Sequence, residues 1–217
     1  MIKSVLKAAI SFLFVFLCAS CGSDDEDTDF NVVELAESLD RLDSLIFVMD
    51  YVDKNGSQPN EKDFRTLLSK KTQEPNLTFF APTNEAFRKL DQTGDGRFTT
   101  SDLESLQVLF GNSQNTADAL YLVLTNHFVL QKVLSVDFSE GANIVTLAEE
   151  TSMDDVNYGL TVSPIESGFI VSPSYKPSEA TVESADNEVS NGIVHIIDSV
   201  LLDDATASAL GLSADES

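Results

Sequence analysis

The run Gly192-Ile193-Val194-His195-Ile196-Ile197-Asp198 constrains the fold more than any other part of this chain. Read at the period of two that a strand imposes, Ile193, His195 and Ile197 share one face and Val194, Ile196 and Asp198 the other. A strand that is mainly apolar on both faces reads as an interior strand of a covered sheet. His195 within it reads as a satisfied core histidine in preference to a ligand or a base.

The elements around this strand are separable by pattern. Val32, Leu35, Leu39, Leu42, Ile46 and Met49 recur at intervals of three and four, which predicts one core-facing helix over about 32–51. After the polar loop DKNGSQPN, Asn60 with Asp63 is a capping arrangement for a short helix carrying Phe64, Leu67 and Leu68, with Lys70 and Lys71 at its C-terminal end. LTFFA at 77–81 predicts a buried strand stopped at Pro82, and Thr83 caps the helix NEAFRKL. Ser101 and Glu104 predict a capping box for LESLQVLF, closed by Gly111, and Thr116 starts a further helix through Leu120, Leu124 and Asn126. From Phe128 the texture changes to short apolar runs, FVLQKV, NIVTL, YGLTVS, GFIVS and ATVES, spaced for antiparallel pairing. Helices gathered first and strands later predict an α+β fold with the sheet packed by the N-terminal helices.

The first 21 residues have a different character. Lys3 and Lys7 precede an apolar run from Ala8 to Leu17, which is too short for a spanning helix of about 20 residues and has the layout of a signal peptide. Leu17-Cys18-Ala19-Ser20-Cys21-Gly22 resembles a bacterial lipobox, which implies lipidation of Cys21 after cleavage at residue 20. The following SDDED resembles the surface-export signal of some Gram-negative lipoproteins, so an outer-membrane, cell-surface location is expected. Cys18 and Cys21 also make a C-x-x-C pair, but an apolar leader offers no helix N-terminus to lower a thiol pKa, so redox chemistry is not expected there.

Charge narrows the partners. The chain has 13 basic and 36 acidic residues and a net charge of −23. Losing residues 1–20 removes Lys3 and Lys7 and no acid, which leaves 11 basic residues against 36 acidic ones, a net of −25. Such a surface repels phosphate backbones and anionic bilayers, so no nucleic acid is expected and the membrane is reached through the lipid alone.

Two blocks, LTFFAPTNEAFRKL at 77–90 and NGIVHIIDSVLL at 191–202, resemble the two signature boxes of the fasciclin domain. LTNHFVL at 124–130 resembles that family's central tyrosine-histidine segment, with His127 in place and Asn126 where tyrosine is common. The resemblance covers about 30–203 and implies a wedge-shaped β-sandwich flanked by helices, in a family of adhesion proteins and not of enzymes. The expected organisation is a signal peptide at 1–20, an acidic tether at 21–30, a fasciclin-like domain at 31–204 and a flexible tail at 205–217.

One insertion carries metal chemistry. Residues 91–102, DQTGDGRFTTSD, have the spacing of an EF-hand or dockerin calcium loop, which needs oxygens at alternate positions, a glycine at the bend and a closing carboxylate. Asp91, Thr93 and Asp95 supply the alternate oxygens, Gly96 the bend, Arg97 a backbone carbonyl, Thr99 a water-mediated contact and Asp102 the closing carboxylate. Structural Ca2+ is the expected cofactor. The shorter run Asp53-Lys54-Asn55-Gly56-Ser57 lacks the bend glycine and the closing acid and reads as a turn.

No G-x-S-x-G, H-E-x-x-H or phosphate loop is present, so no catalytic residues are assigned. The expected function is adhesion or protein–protein interaction at the cell surface, with an extracellular protein or glycan as partner or with homophilic binding. The alternative is a glycan-binding or nutrient-capture accessory module. Against it, the chain has no Trp, and Tyr51, Tyr121, Tyr158 and Tyr175 do not cluster in sequence.

Overall fold

The computed structural model describes residues 30–58, 63–69, 77–148, 159–173, 178–202 and 207. The leader, Cys18, Cys21, the tether before Phe30, the cap residue Asn60, Lys70 and Lys71, Tyr158 and Tyr175, and the tail apart from Ala207 lie outside the described residues. Six α-helices and seven strands lie among the described residues. The helices are α1 (Val32–Ser38), α2 (Asp43–Asn55), α3 (Phe64–Ser69), α4 (Asn84–Arg88), α5 (Thr100–Phe110) and α6 (Ser113–Thr125). The strands are β1 (Leu77–Pro82), β2 (Phe128–Val129), β3 (Ala142–Ile144), β4 (Leu160–Ile165), β5 (Gly168–Pro173), β6 (Ala180–Val189) and β7 (Gly192–Ile197).

The expected α+β fold is found, as a seven-stranded sheet in the order β2-β1-β7-β6-β5-β4-β3 that curls toward a barrel. The long β6 makes the fold of the sheet: Ala180 and Thr181 pair with β5, and Val182 to Val189 pair with β7 across two register shifts. Bulges of this kind bend a strand and increase its twist. At the second shift Asp186 adopts φ 56°, a left-handed conformation that Asp tolerates better than most residues.

Alternation along the central strands serves two cores. Phe79, Val194 and Ile196 face the helices, and Phe80 and Ile197 face a second cluster with Val129, Val162, Val171 and Leu201 between the halves of the sheet. All six residues of β7 are buried, as an interior strand requires. Its neighbour β1 lies parallel to it, with Leu77 opposite Gly192 and Pro82 opposite Ile197. Among the described strands, pairing is antiparallel everywhere except between β1 and β7. The close approach needs Gly192, because a Cβ there would stand 2.2 Å from the Leu77 carbonyl oxygen.

The helical half departs from its sequence pattern at three points. The predicted helix over 32–51 breaks at Leu39, which is extended, and a short turn at Asp40–Leu42 leads into α2. Asn84 of α4 holds the break: its Oδ1 accepts from the Ser44 amide at 2.8 Å and its Nδ2 donates to the Asp40 carbonyl at 2.7 Å. α2 runs through Asn55, so Asp53 and Asn55 are helical and not part of a turn. Asp53 caps α3 instead, accepting from the amides of Phe64 and Arg65 at 2.9 and 3.0 Å. Burial pushes the Asp53 carboxyl up, against the lowering effect of those two amides. α6 begins at Ser113, not Thr116, because Asn112 caps it through the Asn115 amide.

Two strands are shorter than their apolar runs. In FVLQKV only Phe128 and Val129 pair with β1. Beyond them the Thr78 hydroxyl replaces the backbone ladder, donating to the Gln131 carbonyl and accepting from the Val133 amide. NIVTL contributes only Asn143 and Ile144 to β3.

Candidate functional site

The loop after α4 is held by its own carboxylates. Asp91 Oδ1 accepts from the amides of Thr93 at 2.8 Å and Gly94 at 2.7 Å and from the Thr93 hydroxyl, and Oδ2 accepts from the Gly96 amide at 2.6 Å. Gly94 and Gly96 have φ 75° and 80°, the left-handed bends that let consecutive amides turn inward. Asp95 Oδ1 accepts from the Arg97 amide at 2.9 Å. Partial desolvation acts to raise the Asp91 carboxyl, but the amides of Gly96, Gly94 and Thr93 and the Thr93 hydroxyl outweigh it and hold it at about 2.

Asp102 has two roles that the sequence separated. It is fully buried, and its Oδ2 accepts from the Thr99 amide at 2.7 Å and the Thr99 hydroxyl at 3.0 Å. Thr99 and Asp102 therefore form the capping box of α5, in place of Ser101 and Glu104, because Thr99 is the last extended residue before the helix. Asp102 Oδ1 reaches across the loop to the Gln92 amide at 2.8 Å. The result is that Asp91, Asp95 and Asp102 bring carboxylate oxygens within 4.8 Å of one another. Thr93 lies beside them through Asp91, and Thr99 through Asp102. An all-oxygen cluster with three carboxylates has the chemistry to hold a hard divalent cation. Phe98 turns inward against Phe87 with ring centroids 5.7 Å apart, so the loop is fastened to the core on its other side.

The loop also forms one wall of an open pocket of about 650 Å³. Residues 96–99 face Asp43 and Ser44 at the start of α2, and Glu85 and Arg88 on α4. Sequence reasoning missed this pocket, since the start of α2 lies about 40 residues before the α4 and loop residues that complete its walls, and no motif joins them.

The two histidines are structural. His127 has no exposed surface, donates from Nδ1 to the Val123 carbonyl at 2.9 Å and accepts at Nε2 from the Leu201 amide at 2.9 Å. Burial pushes it down to about 4, against the raising effect of the Val123 hydrogen bond. His195 donates from Nε2 to the Val133 carbonyl and accepts at Nδ1 from the Asp186 amide at 3.2 Å, between the rings of Phe80 and Phe138. Burial lowers it too, opposed by the Val133 hydrogen bond and the Asp186 charge. With both nitrogens of each ring engaged by backbone, neither is placed to move a proton to a substrate. Asn126 is buried at the end of α6.

The position of the loop follows from the topology. The Ser190 amide donates to the Phe30 carbonyl at 2.8 Å, so the chain reaches the domain beside the turn that opens β7. Asn191 fixes this corner, with Oδ1 accepting from the Val32 amide and Nδ2 donating to the Leu68 carbonyl. Since β1 and β7 run parallel from that corner, α4 and the acidic loop emerge at the opposite end of the ladder. Six residues of strand put the two ends roughly 17 Å apart.

An α+β domain with a self-braced acidic loop at the far end of a parallel strand pair is the class of protein that these features define. The chain belongs to the fasciclin domain family, which matches residues 60–203. Helices α1 and α2 precede the matched region and still bury Val32, Leu45, Val48 and Met49 in the same core. Protein sll1483 of Synechocystis sp. (strain ATCC 27184 / PCC 6803 / Kazusa) is 27% identical over 176 residues, covering 81% of this chain and 75% of that protein. A solved FAS1 domain pair from the insect cell adhesion molecule Fasciclin I superposes with a TM-score of 0.55 at 17% identity, over 81% of this chain. This chain spans about half of that pair, 52% of its length. Fasciclin domains are typically non-enzymatic and serve adhesion or protein–protein interaction in general.

Proposed function

We propose that this protein is a cell-surface lipoprotein, anchored in the outer membrane through Cys21, that mediates adhesion or protein–protein interaction through its fasciclin domain. The observation that carries the reading is the placement of the acidic loop at the opposite end of the β1–β7 ladder from Phe30. A tether ending at Phe30 leaves that loop facing outward. Loops on a rigid scaffold are where binding surfaces are usually built. The partner is an extracellular protein or glycan, or a second copy of the chain on another cell.

In this reading the loop holds one structural Ca2+. Asp91, Asp95 and Asp102 provide carboxylates, Thr93 a hydroxyl, Arg97 a backbone carbonyl and Thr99 a water-mediated contact. With calcium about 100-fold above its dissociation constant, linkage adds about 2.7 kcal/mol. For a domain of this size that raises Tm by about 5–10 °C. Calorimetry checks it: a Tm that ignores millimolar calcium, or a calcium shift that survives Asp95→Ala, rules the site out.

Attachment of cells that display the protein, lack it, or carry Asp91→Ala with Asp95→Ala tests the function. Attachment should fall on deletion and fall partly in the double variant. Fatty-acid labelling that persists in Cys21→Ala and disappears in Cys18→Ala would move the anchor.

A further inference from the structure

Arginine is scarce in this chain, with four residues in 217, and two of the four line the pocket beside the acidic loop. The others are committed: Arg41 pairs with Glu183, and Arg65 with Glu37 and Asp50. Within the pocket Arg88 pairs with Glu85 of its own helix. Arg97 is exposed and has no acidic partner among the described residues. Asp43 and Ser44 line the same space, and neither side chain makes a hydrogen bond among the described residues.

We propose that this pocket is a binding site for a short neutral oligosaccharide, with Arg97 and Asp43 as its recognising pair. The inference rests on the surface-binding role and supplies its ligand class. Arg97 balances Asp43, and Arg88 balances Glu85, so the walls carry no net charge while staying rich in planar donors and acceptors. A guanidinium fork donates to two adjacent oxygens, and a carboxylate accepts from two hydroxyls, which matches the neighbouring hydroxyls of a sugar ring. A polyanionic ligand meets the field of a chain at −23, and a simple cation meets Arg97. A volume of about 650 Å³ falls within the usual range for small-ligand sites.

The acidic loop sets the shape of this pocket. Three residues of its wall are tied through their amides to the three clustered acids: Gly96 to Asp91, Arg97 to Asp95 and Thr99 to Asp102. A cation that draws the acids together fixes the backbone from which Arg97 projects, so sugar affinity rises with calcium.

The test titrates the full-length protein with calcium alone, then with maltose, cellobiose and lactose in calcium, with a glucuronate disaccharide as the charged comparison. At least one neutral disaccharide is expected to bind, the glucuronate one more weakly, and Arg97→Ala to weaken neutral binding at least tenfold. Arg97→Ala should leave the calcium-free Tm unchanged, since its side chain is exposed. No neutral disaccharide binding, tighter binding of the glucuronate, or undiminished binding in Arg97→Ala overturns the proposal. A flat calcium isotherm removes the cation reading before any sugar is added, and neutral sugar binding that Arg97→Ala then abolishes upholds the pocket. Sugar binding confirmed in cells that attach normally without the protein would sink the adhesion reading and leave the pocket standing.

Discussion

His127 lies between the Val123 carbonyl and the Leu201 amide with no exposed surface, and that placement makes it a source of acid sensitivity. In the unfolded chain it titrates near 6.5, and in the folded one near 4, so the proton is held more tightly by the unfolded state. Its contribution to stability is complete above 6.5 and is lost as the pH falls toward 4, by up to about 3 kcal/mol. The lowered His195 acts in the same direction. Urea titrations between pH 7.5 and 4.5 should show this decline, and His127→Gln should be weaker at pH 7.5 with a shallower decline. An equally steep decline in His127→Gln would show that other groups cause it. At the corner where the chain reaches the domain, Asn191→Ala leaves the Val32 amide and the Leu68 carbonyl buried without partners. The expected loss is about 2–4 kcal/mol, measured by urea unfolding, and Asn191→Asp should keep part of it by restoring the acceptor to Val32.

At the scale of elements, what was legible in the sequence divides by the range of the interaction involved. The strand Gly192–Ile197 was readable because its pattern is local, and its six buried residues match the pattern. The helix over 32–51 was misread as continuous because periodicity survives a break: Leu42 and Leu45 stay on the core side after the extended Leu39. Nothing near Leu39 marks that break, since the group that holds it is Asn84, about 40 residues away. The convergence of Asp91, Asp95 and Asp102 was legible in their spacing, since their carboxylate oxygens come within 4.8 Å of one another. The capping box was displaced because Ser101 and Glu104 match the same motif as Thr99 and Asp102, and only the backbone at Thr99 decides between them. The parallel pairing of β1 with β7 had no local signal except a glycine. Gly192→Ala tests it: the added methyl meets the Leu77 carbonyl, and the strands must part at a cost of about 1–3 kcal/mol. Thermal unfolding should show the loss, while Gly94→Ala, in open space at positive φ, should lower the calcium response more than the core stability.

For the molecule as a whole, the proposed adhesion role would mean load, and the ladder between Phe30 and the acidic loop would determine how that load is carried. A pull between the chain before Phe30 and a partner held at the loop runs along β1 and β7 and not across them. Their parallel register then slides as a unit, with all six residue pairs resisting together, where a hairpin pulled from its open end would unzip bond by bond. Rupture under force follows the unfolding rate and not the equilibrium stability. Single-molecule stretching through these two points should therefore give a higher unfolding force than stretching through Phe30 and the β4–β5 turn at Glu166. Equal forces in the two geometries would mean that the ladder is not the element under tension. Gly192→Ala should lower the first force and leave the second nearly unchanged, because the only strand junction that it weakens is the one that a surface tether would load in shear.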